Sequence, residues 1–166
     1  MTKNILLLFL FSFIACSVPH AGAQLSFGGL KNRVASEPVR WEAKIENVKN
    51  GHATVVLTAV IEKGWHLYGT SLPSGGPKPT AFDFSESNNV KTGTPKASCE
   101  PKKVYDPLFD MELSWWDAAV SFVVPVTLVG PAPEFTCKIS FMTCDGNSCM
   151  PPKTITLNLP IKQTTH

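Results

Sequence analysis

Apolar and polar residues alternate with a period of two along most of the chain. Residues 39–48 (VRWEAKIENV) alternate, and residues 53–61 (ATVVLTAVI) form a β-branched run. Asn50-Gly51-His52 between them is a hairpin turn signal. Residues 62–69 (EKGWHLYG) read as a turn and a further short strand; residues 70–80 (TSLPSGGPKPT) hold too much Pro and Gly for anything but loop. Residues 81–85 (AFDFS) are a short alternating strand, and residues 121–129 (SFVVPVTLV) a strong one. There Pro125, which lacks an N–H, predicts an edge or a bulge. Residues 134–143 (EFTCKISFMT) place Phe135, Cys137, Ile139 and Phe141 on one face, and Thr136, Lys138 and Ser140 on the other. Residues 153–160 (KTITLNLP) turn Ile155, Leu157 and Leu159 inward. No segment carries a helical period. Short strands separated by turn signals predict an all-β sandwich or barrel.

The length of 166 residues suits one domain. Its start has another character. Lys3 precedes an apolar run at residues 5–14, too short to span a bilayer and of the right length for an export signal. Small residues at Ala21 and Ala23 predict cleavage after Ala23. The expected division is a signal peptide over residues 1–23, a linker over 24–37 and a domain over 38–162. The alternative is lipidation at Cys16, although Phe13 stands where a lipoprotein signal has leucine. That anchor would be the only contact with a membrane. The formal net charge of +2 comes without a basic run, which argues against nucleic acid as a partner.

Export implies an oxidising compartment, where disulfides persist. With Cys16 lost alongside the signal, Cys99, Cys137, Cys144 and Cys149 remain, and four cysteines allow three pairings. Cys137 shares the apolar face of its strand and reads as a small buried hydrophobe. Cys144 has the opposite parity and stands where that strand ends. Asp145-Gly146-Asn147-Ser148 is turn chemistry, so Cys144 and Cys149 can face each other across a hairpin mouth. A disulfide stabilises mainly by restricting the unfolded chain, and so short a loop restricts little. A small exposed ring is also the labile kind. On the residues alone, a hairpin staple and a redox pair stay level. Zinc held by Cys144 and Cys149 with His66 or Cys99 fits less well, because the spacing departs from the two-residue knuckle and no second knuckle accompanies it. His66 reads as an ordinary strand residue, and no cofactor is expected.

The closing segment, FMTCDGNSCMPPKTITLNLP, resembles that of the N-terminal periplasmic domain of the thiol–disulfide interchange protein DsbD: an aromatic-led strand, a cysteine, a short polar turn, a second cysteine, Pro-Pro and a last strand. EKGWHLYG resembles the early Gly-aromatic-x-Leu-Tyr strand of that family, and residues 101–128 its segment with the loop over the active site. The resemblance implies an immunoglobulin-like β-sandwich in the periplasm that exchanges electrons through Cys144 and Cys149. Cys149 would form the mixed disulfide and Cys144 resolve it. A cap loop is implied at residues 102–110 (KKVYDPLFD), with Tyr105 or Phe109 at its tip and Asp106 or Asp110 as the acidic residue near the pair. The implied electron donor is a thioredoxin-like or DsbD-type membrane redox protein, and the acceptors are periplasmic disulfide proteins. The sequence holds no polytopic membrane segment and no Cys-x-x-Cys motif, so the domain is expected to borrow its donor. Cys99 is extra to the pattern, either free or bonded to Cys137. One rival reading is a non-catalytic exported immunoglobulin-like binding module in which the cysteine pair is only a staple; another is an accessory adhesion or envelope-complex subunit with the Pro/Gly loop at residues 70–80 as its contact surface.

Overall fold

A computed structural model describes residues 37–162. The expected signal peptide, the lipidation site at Cys16 and nearly all of the linker lie outside the described residues.

Twelve strands and no helix make up the described chain: β1 (Val39–Lys49), β2 (His52–Ile61), β3 (His66–Tyr68), β4 (Ala81–Asp83), β5 (Val90–Thr92), β6 (Lys96–Ala97), β7 (Lys102–Asp106), β8 (Met111–Trp116), β9 (Val120–Leu128), β10 (Glu134–Phe141), β11 (Thr143–Cys144) and β12 (Lys153–Pro160). One sheet has the order β1-β2-β9-β5, with β6 also paired to β9; a second has the order β12-β10-β4. A third and smaller sheet, β11-β3-β8-β7, carries the cysteine pair. All named pairings are antiparallel.

The first two sheets enclose the main core by the alternation read from the sequence. Val55, Leu57, Phe122 and Val124 meet Phe135, Cys137 and Ile139, and each of these is essentially inaccessible. Trp41 joins the sheets, its ring centroid 5.8–5.9 Å from those of Phe82, Phe122 and Phe141. Ile155, Leu157 and Leu159 of β12 pack against this core from its margin. The β1–β2 turn takes positive φ at Asn50 (51°) and Gly51 (74°). Those are the two left-handed positions that the tightest hairpin turn requires and that an Asn-Gly pair supplies.

Two expectations need correction. Pro125 is not on an edge, and the bulge half of that expectation holds: between the β5 and β6 pairings, residues 93–95 lie opposite only Val124 and Pro125. Pro125 lies within β9, opposite Thr54 of β2, and β9 is paired on its other side as well. Its carbonyl accepts from Gly93 N (2.7 Å), so the position where an N–H would sit faces the gap between β5 and β6. The ladder is broken where proline cannot donate. The stretch 102–110, expected as a loop, is largely strand: β7 pairs with β8 from Lys102 opposite Trp115 to Asp106 opposite Met111. Only residues 107–110 form the connecting turn.

Candidate functional site

β10 is the most regular strand of the second sheet, and it delivers the chain to the site. Its ladder with β12 runs to Phe141 opposite Lys153. After Met142 the chain joins the small sheet, where Thr143 and Cys144 of β11 lie opposite Leu67 and His66 of β3. The next four residues reverse it. The Asp145 carboxylate accepts the N–H groups of Asn147 (2.9 Å) and Ser148 (2.8 Å), and Gly146 takes φ 87°. Those N–H groups hold the Asp145 carboxyl below the usual carboxylate range. Cys149 then bridges back to Cys144, and the two are joined by a disulfide, Cα to Cα 4.1 Å.

The two sulfurs sit in different surroundings. Cys144 is 0% exposed, in a second small apolar cluster with Tyr68 and Leu113. Cys149 is half-buried on the outer side of that cluster. Past it, Met150 and Pro151 line a groove with Phe141, Met142 and Pro152.

Tyr68 holds Cys144 from within. Its hydroxyl lies 2.7 Å from Asp106 Oδ2 and 3.2 Å from Cys144 Sγ. One hydroxyl proton serves one acceptor at a time. The carboxylate is the stronger acceptor, which leaves an oxygen lone pair toward the sulfur. Burial, with the Asp106 carboxylate second, pushes the Tyr68 phenol far above its usual value, so it stays protonated. Tyr68 is itself fixed: its carbonyl accepts from Thr80 Oγ1 at 2.6 Å, which ties down the end of the Pro/Gly loop. A Cβ built on the next residue, Gly69, would come within 2.4 Å of Ser114 Oγ and 3.1 Å of the Ser114 carbonyl oxygen, so a larger residue here forces the Ser114 hydroxyl to turn and β8 to give slightly.

Asp106 ends β7 and is 2% exposed. Besides Tyr68 it binds Leu108 N through Oδ1 (2.8 Å), so one buried carboxylate links the β7–β8 turn to the disulfide. Around that turn the side chains divide. Tyr105 points to solvent and its hydroxyl bonds to Asp110. Leu108 is exposed. Phe109 is half-buried and meets the Tyr68 ring edge-on at 6.0 Å. Of the residues expected near the pair, Asp106 and Phe109 are therefore joined to the cysteine cluster through Tyr68, and Tyr105 and Asp110 are turned away from it.

The other cysteines stay apart. Cys99 is a free, exposed thiol and Cys137 a free, buried one, so the alternative of a bond between them does not hold. Burial pushes the Cys137 thiol up to about 12. Tyr68 was not singled out from sequence as a site residue, and His66, weighed there only as a zinc ligand and otherwise taken as an ordinary strand residue, lies directly opposite Cys144. Their spacing of two places them on one face, but nothing in the sequence says which strand they face. Among the described residues no group of three or more His, Cys, Asp and Glu is arranged to hold a metal ion.

Comparison with known proteins gives the family and the fold. The chain matches the family described as "Thiol:disulfide interchange protein DsbD, N-terminal" over residues 35–161. No curated protein sequence matches. Among solved structures, the N-terminal periplasmic domain of ScsB from Proteus mirabilis is similar with a TM-score of 0.56 at 17% identity, over 76% of this chain and 47% of that one. The chain thus spans about half of that relative. The reduced N-terminal domain of DsbD from Neisseria meningitidis is similar with a TM-score of 0.51 at 14% identity, over 81% of this chain and 98% of that one. The fold is the immunoglobulin-like β-sandwich that the sequence predicted.

Proposed function

Since this chain belongs to the DsbD N-terminal domain family, we propose that it is a periplasmic thiol–disulfide exchange protein working through Cys144 and Cys149. The observation that carries this reading is the asymmetry of the pair, one cysteine sealed and held by Tyr68 and the other a half-buried residue. In the reduced pair, Cys149 is the sulfur that a partner disulfide can reach. Its thiolate attacks one sulfur of that bond, forms a mixed disulfide and displaces the second partner sulfur as a thiolate. Cys144, already beside it, then attacks Cys149 Sγ. The bond to the partner breaks and its electron pair leaves on the partner thiolate. Two electrons have moved, and the pair is oxidised. The reverse sequence reloads it from a donor.

The β7–β8 turn serves as the cap. Phe109 lies against Tyr68, and Asp106 connects the turn to that hydroxyl, so a partner that displaces residues 107–110 also loosens the contact on Cys144. Thioredoxin-like or DsbD-type membrane proteins are the proposed donors and periplasmic disulfide proteins the proposed acceptors. Equilibration with glutathione and dithiothreitol buffers tests the reading. A reduction potential above roughly −300 mV is expected for an exchanging pair. A value well below that marks a structural staple and returns the chain to the class of binding modules.

A further inference from the structure

His66 and Tyr68 are two residues apart on β3 and so share one face of the small sheet. Cys144 is the residue directly opposite His66 in the β11–β3 ladder, and the Tyr68 hydroxyl reaches Cys144 Sγ, so all three side chains are on that face. Partners directly opposite in an antiparallel ladder hold their Cβ atoms about 4.5–5.5 Å apart. The imidazole is 7% exposed. It stacks on Trp115 at 4.3 Å and meets Tyr68 edge-on at 5.0 Å. Its Nε2 is buried and has no hydrogen-bond partner among the described residues. An unpaired buried nitrogen works against folding. Trp41 Nε1 shares that condition, but an indole only donates, whereas a neutral imidazole can take a proton.

Resting on the exchange reading, we propose that His66 is the base that takes the Cys144 proton when Cys144 attacks Cys149 in the mixed disulfide. The S–H bond of Cys144 breaks toward the imidazole, which becomes imidazolium. The new thiolate forms the Cys144–Cys149 bond, and the partner departs as a thiolate with the electron pair of the broken bond. The imidazolium then gives its proton to that thiolate or to water. A sealed thiol has no water to receive its proton, so a neighbouring base is what the step lacks. Tyr68 is not the final acceptor, because its phenol stays protonated; relay through its hydroxyl to Asp106 is the rival route, and unchanged decay in the His66 variants would point to it.

The groups facing His66 fit this role. They are Tyr68 on its own strand, Cys144 on β11, Asp106 at the end of β7, Asp117 after β8 and Asp145 after β11; Asp117 is itself paired with Lys102. Burial lowers the imidazole below its ordinary value of 6.5, so it is neutral at pH 7 and able to accept, and the three carboxylates favour the imidazolium once it forms.

The test follows single turnover of the reduced protein with oxidised glutathione by acid quench and mass spectrometry. Formation of the Cys149–glutathione adduct reports the first attack, and its decay reports the second. In the parent protein the decay rate is expected to rise with pH through an inflection below 6.5. In His66→Phe and His66→Gln the decay slows at least tenfold at pH 7 and loses that inflection. The first attack stays within twofold, and an unchanged near-UV circular dichroism spectrum shows that the variants are folded. In the unsubstituted protein, NMR titration is expected to give His66 a different pKa in the oxidised and reduced states. Decay at the parent rate with the parent pH profile in both variants overturns the proposal, and so does an imidazole pKa indifferent to redox state. A parent protein that forms no adduct at Cys149 defeats the exchange reading itself, a separate result from unchanged decay in the variants.

Discussion

Around Cys144 every direction is filled: Tyr68 and Leu113 pack on it, the Tyr68 oxygen touches its sulfur, and its bonded partner Cys149 closes the outer side. The sequence read alone gave the pair and its turn, because Asp-Gly between cysteines is local chemistry. It did not give Tyr68, and it set His66 aside as an ordinary strand residue, because the meaning of both depends on β11 pairing with β3 more than seventy residues away in the chain. Asp106 was legible only through the family resemblance, and its two hydrogen bonds make it the most testable side chain of the site. Asp106→Ala leaves the Tyr68 hydroxyl and Leu108 N without their acceptor, and is expected to cost about 1–3 kcal/mol in urea unfolding. The free thiols give a second check. With the native oxidised protein, iodoacetamide followed by peptide mapping should modify Cys99 and spare Cys137, whose thiol is buried and raised to about 12. Labelling of Cys137 at the rate of Cys99 would contradict the packing of β10.

Among the elements, legibility followed length and apolar content. β1, β2, β9, β10 and β12 each run for eight residues or more, long enough for an apolar face to show in the sequence, most cleanly in β9 and in the half-buried alternation of β12. β5 and β6 have three and two residues, too few to show a period. β7 is mostly charged and exposed, and its Asp-Pro turn made the whole stretch resemble a loop. Pro125 was read as an edge or a bulge, and only the bulge is found. Proline forbids one hydrogen bond, on one side of a strand, and a sheet that is broken on that side alone can hold it in its interior. The join between β3 and β8 makes a prediction of its own. Gly69→Ala drives a methyl group into Ser114 Oγ and is expected to cost about 1–3 kcal/mol by overpacking. Adding Ser114→Ala removes the nearest atom and should restore part of the loss in thermal unfolding. Full stability of the single variant would mean that β3 and β8 are farther apart than described.

For the whole domain, the sandwich core and the small sheet are packed as one, because Leu67 of β3 and Trp116 of β8 belong to the main core cluster. The small sheet at its end holds the pair, and the regular strand β10 positions that sheet. Its buried histidine gives the fold a pH dependence with a definite sign. Burial lowers the His66 pKa from 6.5, so the folded state binds the proton less readily than the unfolded chain. The contribution is fully present above pH 6.5 and is lost as pH falls from there through the lowered folded value. Asp83, Asp117 and Asp145 are held below 3.8, so their losses fall at lower pH. Urea unfolding across pH 4.5–7.5 should therefore show a decline below 6.5 that His66→Gln flattens. The central claim concerns the division of labour between the two sulfurs. The most direct measurement compares reduced Cys144→Ala and Cys149→Ala proteins reacting with oxidised glutathione, with adducts located by mass spectrometry. The account expects the adduct to form on Cys149 at least tenfold faster than on Cys144, and the unsubstituted protein to go on to its internal disulfide. Equal rates at the two cysteines, or faster reaction at Cys144, would contradict it.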